Sequence, residues 1–228
     1  MHRLAQDDCA AILTEGIVEQ SNNRTQAILS WRRTPTIDLR IEQDDQHRYL
    51  ILNGQRQSQM LLLQPNQPSY PHLMLLLQWL ADKPWQCLLQ LGLGGGEFSR
   101  VVAARWPERQ VVTVEQEMLI IEAFLQFFQV QPHPNETIIC ADAATFARDA
   151  QAQQQQFDVI FVDLYPWPQH WQSLLHCLLT LRTQAGFICI NLPSAEEPVQ
   201  WQEFWQAIPL QLQCFKVAGY QNQLWLGP

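Results

Sequence analysis

Residues 85–100, WQCLLQLGLGGGEFSR, constrain this chain more than any other stretch. The apolar run Cys87-Leu88-Leu89-Gln90-Leu91 reads as a buried strand and leads straight into Gly92-Leu93-Gly94-Gly95-Gly96. Beyond the turn, residues 97–105 have helical composition, and no proline intervenes before Pro107. A helix N-terminus carries backbone N–H groups without partners and a partial positive charge. Set behind a buried strand and a glycine turn, it makes a nucleotide site. Gly92, Gly94 and Gly96 are the expected contacts, because glycine accepts positive φ and leaves no Cβ between backbone and ligand. A tight β–α turn without a ligand carries the same glycines, so the residues downstream decide between the two readings.

Three acids stand at the ends of the next three strands. Val111-Val112-Thr113-Val114 is a β-branched run closed by Glu115, about twenty residues past the turn, the spacing of a ribose-binding acid. A carboxylate there accepts both ribose hydroxyls in charge-assisted hydrogen bonds. A helical stretch over residues 117–129 precedes the strand Thr137-Ile138-Ile139-Cys140, with Asp142 just beyond it. Phe157-Asp158-Val159-Ile160-Phe161-Val162 then makes a fourth apolar strand, with Asp163 at its tip. Any one of these acids could cap the following helix. Three in order on the carboxyl edge, where open α/β sheets bind ligands, point to a site. The cluster Gly92-x-Gly94-x-Gly96 is shorter than GxGxxG, which favours an adenosyl-sulfonium ligand over a dinucleotide.

At 228 residues the chain is long enough for one sizeable core and a small appendage. A net charge of −8 argues against a nucleic-acid partner, which leaves a basic footprint. The six cysteines show no CxxC pair and the histidines no ligand spacing, so no metal is expected. Cys87, Cys140 and Cys189 fall inside expected strands, as small hydrophobes. The first residues carry acids where a signal peptide needs an apolar run. The leucine-rich stretch 73–80 is well short of the roughly 20 residues of a membrane span. The expectation is a soluble, cytoplasmic protein with reduced thiols and no membrane partner.

Residues 1–68 are expected to form a small antiparallel β unit and residues 69–228 the nucleoside-binding domain. Ile37-Asp38-Leu39-Arg40-Ile41-Glu42 alternates with the period of a half-buried strand. Tyr49-Leu50-Ile51-Leu52 is a second strand, and Asn53-Gly54 turns it into a third over residues 55–60. Earlier pieces at 16–19 and 26–31 add candidate strands. So small a unit cannot hold much core alone and should pack on the larger domain as a lid or dimer surface. A linker at 64–68 leads to a helix over 70–81. From Trp85 onward strands and helices alternate, giving an α/β Rossmann-like, doubly wound sheet of seven strands, mostly parallel. Gln151 to Gln156 is a polar helix end facing solvent. A helix over 169–181 is expected to end in a C-cap region at Gly186, before a fifth strand at 187–191. An amphipathic helix at 199–207 carries Trp201 and Trp205, and two last strands at 210–217 and 223–226 turn through Gly219-Tyr220.

In this order the hairpin unit, the linker helix, the GxGGG turn, VEQE, ADA and VDLYPWP resemble the spermidine synthases, more broadly the polyamine aminopropyltransferases. The likeness runs from about Ile37 to the end of the chain. It implies a class I S-adenosylmethionine-type Rossmann fold with a small N-terminal β domain. Leu52-Asn53-Gly54-Gln55-Arg56-Gln57 resembles the family's LDGxxQ, and Pro71-His72-Leu73-Met74 its YHEM or YQEM. Residues 92–97 stand where the family has GGGDGG. The resemblance implies Glu115 as the ribose acid, Asp142 as the adenine acid, and Asp163 as the first aspartate of DxxDP, a general base or substrate anchor. It implies Gln57, His72, Tyr165 and Trp167 in the acceptor pocket and a homodimer through the N-terminal unit. Four positions depart from the pattern: Gly95 and Pro166 replace aspartates, Leu73 replaces a glutamate, and Pro71 stands at a tyrosine unless a one-residue shift brings Tyr70 there. The chain thus keeps the nucleoside half of the family's site and loses much of the amine half. It is similar to the spermidine synthase-like branch whose fourth-strand motif runs VDLF or VDLY.

Three functions are open to a chain with this resemblance and these residues. One is aminopropyl transfer from decarboxylated S-adenosylmethionine to an amine such as a polyamine, with Asp163 taking the amine's proton. Another is methyl transfer from S-adenosylmethionine to a small acceptor. The last is a non-catalytic protein that keeps the fold and binds partners. In the first two the small-molecule partner is a nucleoside donor.

Overall fold

The structure, a computed structural model, describes residues 18–21, 24–166, 168, 170–193, 212–217 and 222–228. Five strands, β1 (Val18–Ser21), β2 (Arg24–Arg33), β3 (Asp38–Gln43), β4 (His47–Leu52) and β5 (Gln55–Leu61), form an antiparallel meander in sequence order. Asn53 and Gly54 both take positive φ, at 51° and 78°, as the tight β4–β5 hairpin demands. Alternation in β3 turns Leu39 and Ile41 inward beside Leu50 and Met60. This apolar face shares one core with Ile120, Ile121, Phe124 and Phe128 of the larger sheet's second crossover. The small sheet buries its face there because it has no second layer of its own.

Helix α1 (Pro71–Ala81) opens the second part with proline in its first turn, where the missing N–H is no loss. Its Leu73, Leu76, Leu77 and Leu80 form one buried stripe. Then follow β6 (Cys87–Leu91), α2 (Glu97–Arg105), β7 (Gln110–Glu115), α3 (Met118–Ala123), β8 (Glu136–Cys140), α4 (Ala143–Ala152), β9 (Phe157–Val162), α5 (Trp171–Leu181), β10 (Arg182–Pro193), β11 (Gln213–Lys216) and β12 (Asn222–Gly227). The sheet order is β11-β12-β10-β9-β6-β7-β8. The strands from β10 to β8 are parallel, and β12 and β11 add antiparallel. Helices α1 and α2 cover one face and α4 and α5 the other, so the sheet is doubly wound with β6 and β9 at its centre.

Two elements differ from the sequence reading. The helix expected to run to Gln129 is α-helical only to Ala123 and continues as a π-helical turn, Phe124–Phe128, closed by Gln129 N–H on Phe124 C=O at 2.8 Å. Gly186 is not a helix cap: α5 ends at Leu181 with Arg182 as its cap, and Gly186 lies inside β10. A Cβ there would sit 2.7 Å from Thr183 Oγ1 and 2.9 Å from Asp158 O, so close packing of β10 on β9 is what requires the glycine. Cys189 is buried as expected of a small hydrophobe, whereas Cys140, at the tip of edge strand β8, is exposed. The helix expected at 199–207 with Trp201 and Trp205, the Gly219-Tyr220 turn and Trp167 lie outside the described residues. Among the described residues no helix is long and apolar enough to cross a membrane.

Candidate functional site

The carboxyl ends of β6, β7 and β9 meet at the glycine turn. Gly92 N–H donates to Val114 O at 2.8 Å and Asp163 N–H to Leu91 O at 2.9 Å, so the three strand tips are tied by backbone. Gly92, Gly94 and Gly96 all have positive φ. They face different neighbours, however. Gly92 and Gly94 line a cleft, whereas a Cβ on Gly96 would stand 2.1 Å from Phe124 Cε2, because this glycine is packed against the π-helical turn.

The first cleft encloses about 290 Å³. Its floor is Gly92, Leu93, Gly94 and Glu115, one wall is Ala141, Asp142 and Ala143, and the opposite wall comes from the small sheet through Leu50, Leu52, Gln57 and Ser58. Glu115 is only 8% exposed. Its Oε2 accepts from Leu93 N–H and its Oε1 from Glu117 N–H, each at 3.0 Å. Each carboxylate oxygen keeps a second lone pair. Asp142 caps α4, with Oδ1 accepting from Thr145 N–H at 2.8 Å and from Thr145 Oγ1 at 3.0 Å, and it also lines the cleft. The capping role and the site role therefore coincide at this residue.

A second cleft of about 620 Å³ adjoins the first on the α1/α2 face, and Asp163, Tyr165, Gln57 and Ser58 line both. Burial pushes the Asp163 carboxyl above the ordinary aspartate value. Asn191 opposes this by donating Nδ2–H to Asp163 Oδ1 at 2.8 Å, and the charge of Glu97 adds to it. Glu97, the first residue of α2, is 5% exposed. Burial raises its pKa too, against bonds from the Tyr70 N–H at 3.0 Å, the Ser69 hydroxyl at 2.8 Å and the Ser69 N–H. Tyr70, desolvated beside Glu97, is pushed up to about 12.

His72 belongs to the wall of this second cleft, yet it is 3% exposed, and burial takes its pKa down to about 4, so the imidazole is neutral. Its ring centroid is 5.7 Å from that of Tyr70. Tyr165 is 52% exposed and bridges the clefts from above, its hydroxyl donating to Gln55 Oε1 at 2.8 Å across the two sheets. The peptide bond between Tyr165 and Pro166 is cis. Gln57 lies where the clefts join. The structure thus gathers Gly92, Gly94, Glu115, Asp142, Asp163, Gln57 and Tyr165 around one opening, sets His72 deep in its wall, and turns Gly96 away.

Glu97 and Asn191 were not among the expected site residues. Glu97 ends the stretch that matches GGGDGG, so an acid at a glycine position was the legible signal; Asn191 offered none beyond ending a strand. Ser58 was also missed. Its Oγ accepts from Gly95 N–H at 2.8 Å, and a Cβ on Gly95 would be 2.8 Å from Ser58 Cβ and 3.3 Å from Phe128 Cε1. Gly95 is further held by Arg100, whose Nη1 donates to the Gly95 carbonyl while its Nε donates to Pro65 O at 3.0 Å. The family's aspartate therefore has no room at position 95. Gly95→Asp should lower stability by about 1–3 kcal/mol in denaturant unfolding, as overpacking does, and Ser58→Gly in the same chain should recover part of that loss.

Among the described residues no group of histidine, cysteine, aspartate and glutamate is arranged to hold a metal ion. No family model matches the sequence. A stretch of 97 residues is 27% identical to a polyamine aminopropyltransferase of Vibrio vulnificus (strain CMCP6); it covers 42% of this chain and only 32% of that protein. Among solved structures, the spermidine synthase of Thermotoga maritima superposes over 100% of this chain and 82% of its own, with a TM-score of 0.68 at 15% identity. Human methyltransferase-like protein 13, solved in complex with SAH, matches 66% of this chain and 74% of its own, with a TM-score of 0.56 at 20% identity. The chain has the fold shared by these spermidine synthases and methyltransferases, and in sequence it resembles the polyamine aminopropyltransferases.

Proposed function

We propose that the protein is a transferase that binds S-adenosylmethionine or its decarboxylated form in the first cleft and passes a group to an amine in the second, aminopropyl transfer being the reaction the site supports best. One observation carries this reading: two adjoining clefts share a single carboxylate, Asp163, at the tip of a central strand. Glu115 holds the ribose, Asp142 the adenine, and the Gly92–Gly94 backbone lets the nucleoside approach. In the second cleft Glu97 and Asp163 favour a cationic acceptor such as a polyamine. The acceptor nitrogen gives a proton to Asp163 and attacks the methylene next to the sulfonium. The carbon–sulfur electron pair goes to sulfur, and methylthioadenosine leaves. Binding both partners in line supplies effective concentration, and the raised pKa of Asp163 brings it nearer to that of a useful base. Methyl transfer is the second reading, favoured by the crowding at Gly95, which denies the donor tail the acid that selects the decarboxylated form.

Calorimetry with S-adenosylmethionine, its decarboxylated form and methylthioadenosine tests both. Preference for the decarboxylated donor supports aminopropyl transfer and preference for the carboxylated one supports methyl transfer. No binding of any of the three refutes a nucleoside site. Glu115→Ala should weaken methylthioadenosine binding about 10- to 150-fold, the worth of a hydrogen bond to a charged group.

A further inference from the structure

We propose that Asn191 is a positioning residue for Asp163: its side-chain N–H holds one carboxylate oxygen, Oδ1, and leaves Oδ2 as the single oxygen that receives the acceptor's proton. The inference rests on the reading of Asp163 as base. Strand register sets the pair side by side. Ile190 is paired with Val162 in the parallel β9/β10 ladder, so the next residue on each chain, Asn191 and Asp163, emerges at the same level. The Asn191 Nδ2 to Asp163 Oδ1 distance is 2.8 Å. Turning the amide over would set its carbonyl against the carboxylate, so an ionised Asp163 fixes which end of the amide faces it.

The other end of the amide argues that this arrangement is not there for the fold. Asn191 is 4% exposed, and its Oδ1 is sealed from solvent with no hydrogen-bond partner among the described residues. A buried acceptor without a partner is destabilising, and leucine has the same branched shape without one. What asparagine alone supplies is the N–H to Asp163. Among the described residues, the other charged or titratable groups around Asp163 act differently, and Tyr165 turns its hydroxyl to Gln55 Oε1. Glu97 of α2 repels its charge, Arg56 of β5 is carried on the ring of Tyr49, and Tyr70 and His72 at the start of α1 are neutral. Glu115, Glu117 and Asp142 lie across the first cleft. On the side of β12 stands the uncharged Asn222. Among the described residues Asn191 is therefore the group that favours the ionised form by direct hydrogen bonding, against burial and Glu97.

Carbon-13 NMR of the whole chain with labelled aspartate carboxyls tests this, the Asp163 signal being identified by its loss in Asp163→Asn. In the wild type the Asn191 side-chain amide protons should shift with the same midpoint as Asp163. In Asn191→Leu the Asp163 midpoint should move to higher pH by about 1–2 units, the equivalent of one hydrogen bond to a charge. The acid limb of any transfer rate should move with it, while the KM for the donor holds. An unchanged Asp163 midpoint, or wild-type amide protons that ignore the titration, overturns the proposal. Neither NMR readout needs turnover, so a wild type that transfers nothing from the decarboxylated donor to a diamine counts against the proposed function alone.

Discussion

Gly92→Ala should be among the most damaging single substitutions in the chain, lowering stability by about 3–5 kcal/mol. A Cβ at this position would be 2.1 Å from the carbonyl oxygen of Asp163 and 3.0 Å from its carbon. That neighbour is backbone, held by its own N–H on Leu91 O, so no rotamer change relieves the clash. The φ of 91° adds strain that only glycine escapes. Either β6 and β9 part at their tips or the turn refolds, and both outcomes open the first cleft. Thermal unfolding followed by circular dichroism should register a fall of roughly 10 °C, since each kcal/mol moves a domain of this size by a few degrees. A fall of a degree or two would mean that the strand tips are less rigidly joined than their hydrogen bonds imply.

Asp163→Asn should remove the proposed transfer almost entirely, by about 10²- to 10⁴-fold in kcat/KM, and leave methylthioadenosine binding close to wild type. The amide keeps the size of the carboxyl but accepts no proton. For the wild type, a base must be ionised to act, so the rate is lost as pH falls through the raised pKa of Asp163. Stability has the opposite sign. Because the folded chain holds this proton more tightly than the unfolded chain, ionising Asp163 weakens the fold as pH rises above the unfolded value. Asp163→Asn removes that penalty, so it should be as stable as the wild type at neutral pH, or more so. An inactive variant that also loses stability would make Asp163 a structural residue.

Elements whose limits are set by local composition could be read from the sequence. The strand Cys87–Leu91 and the helix Glu97–Arg105 have the bounds expected of them, because the glycine turn and Pro107 punctuate the chain at both ends. Glu115, Asp142 and Asp163 were legible as acids closing apolar strands, and the parallel sheet follows from the alternation. What escaped depends on which distant residues abut. Gly186 resembled a cap because the carbonyl of Asp158, which excludes its side chain, comes from another strand. Ser58 and Phe128 fill the space at Gly95 from far before it and far after it in sequence, and nothing near residue 95 announces them. His72 sits in a motif-like stretch, and only its burial shows why it is uncharged.

The segment joining the two sheets has the composition of an ordinary spacer, rich in proline, asparagine and glutamine. Surface connections of that kind usually tolerate insertions. This one is pinned twice. Arg100 grips the carbonyl of Pro65 with the same guanidinium that holds Gly95, and Glu97 takes the backbone N–H groups of Ser69 and Tyr70. Both anchors come from the first turns of the helix that begins at the glycine turn. An added residue here cannot loop outward harmlessly, because it must release one of two buried charges or drag the turn with it. The spacer's length is thus fixed by the same contacts that shape the cleft, and chains that share this site should vary in the loops around it but not here.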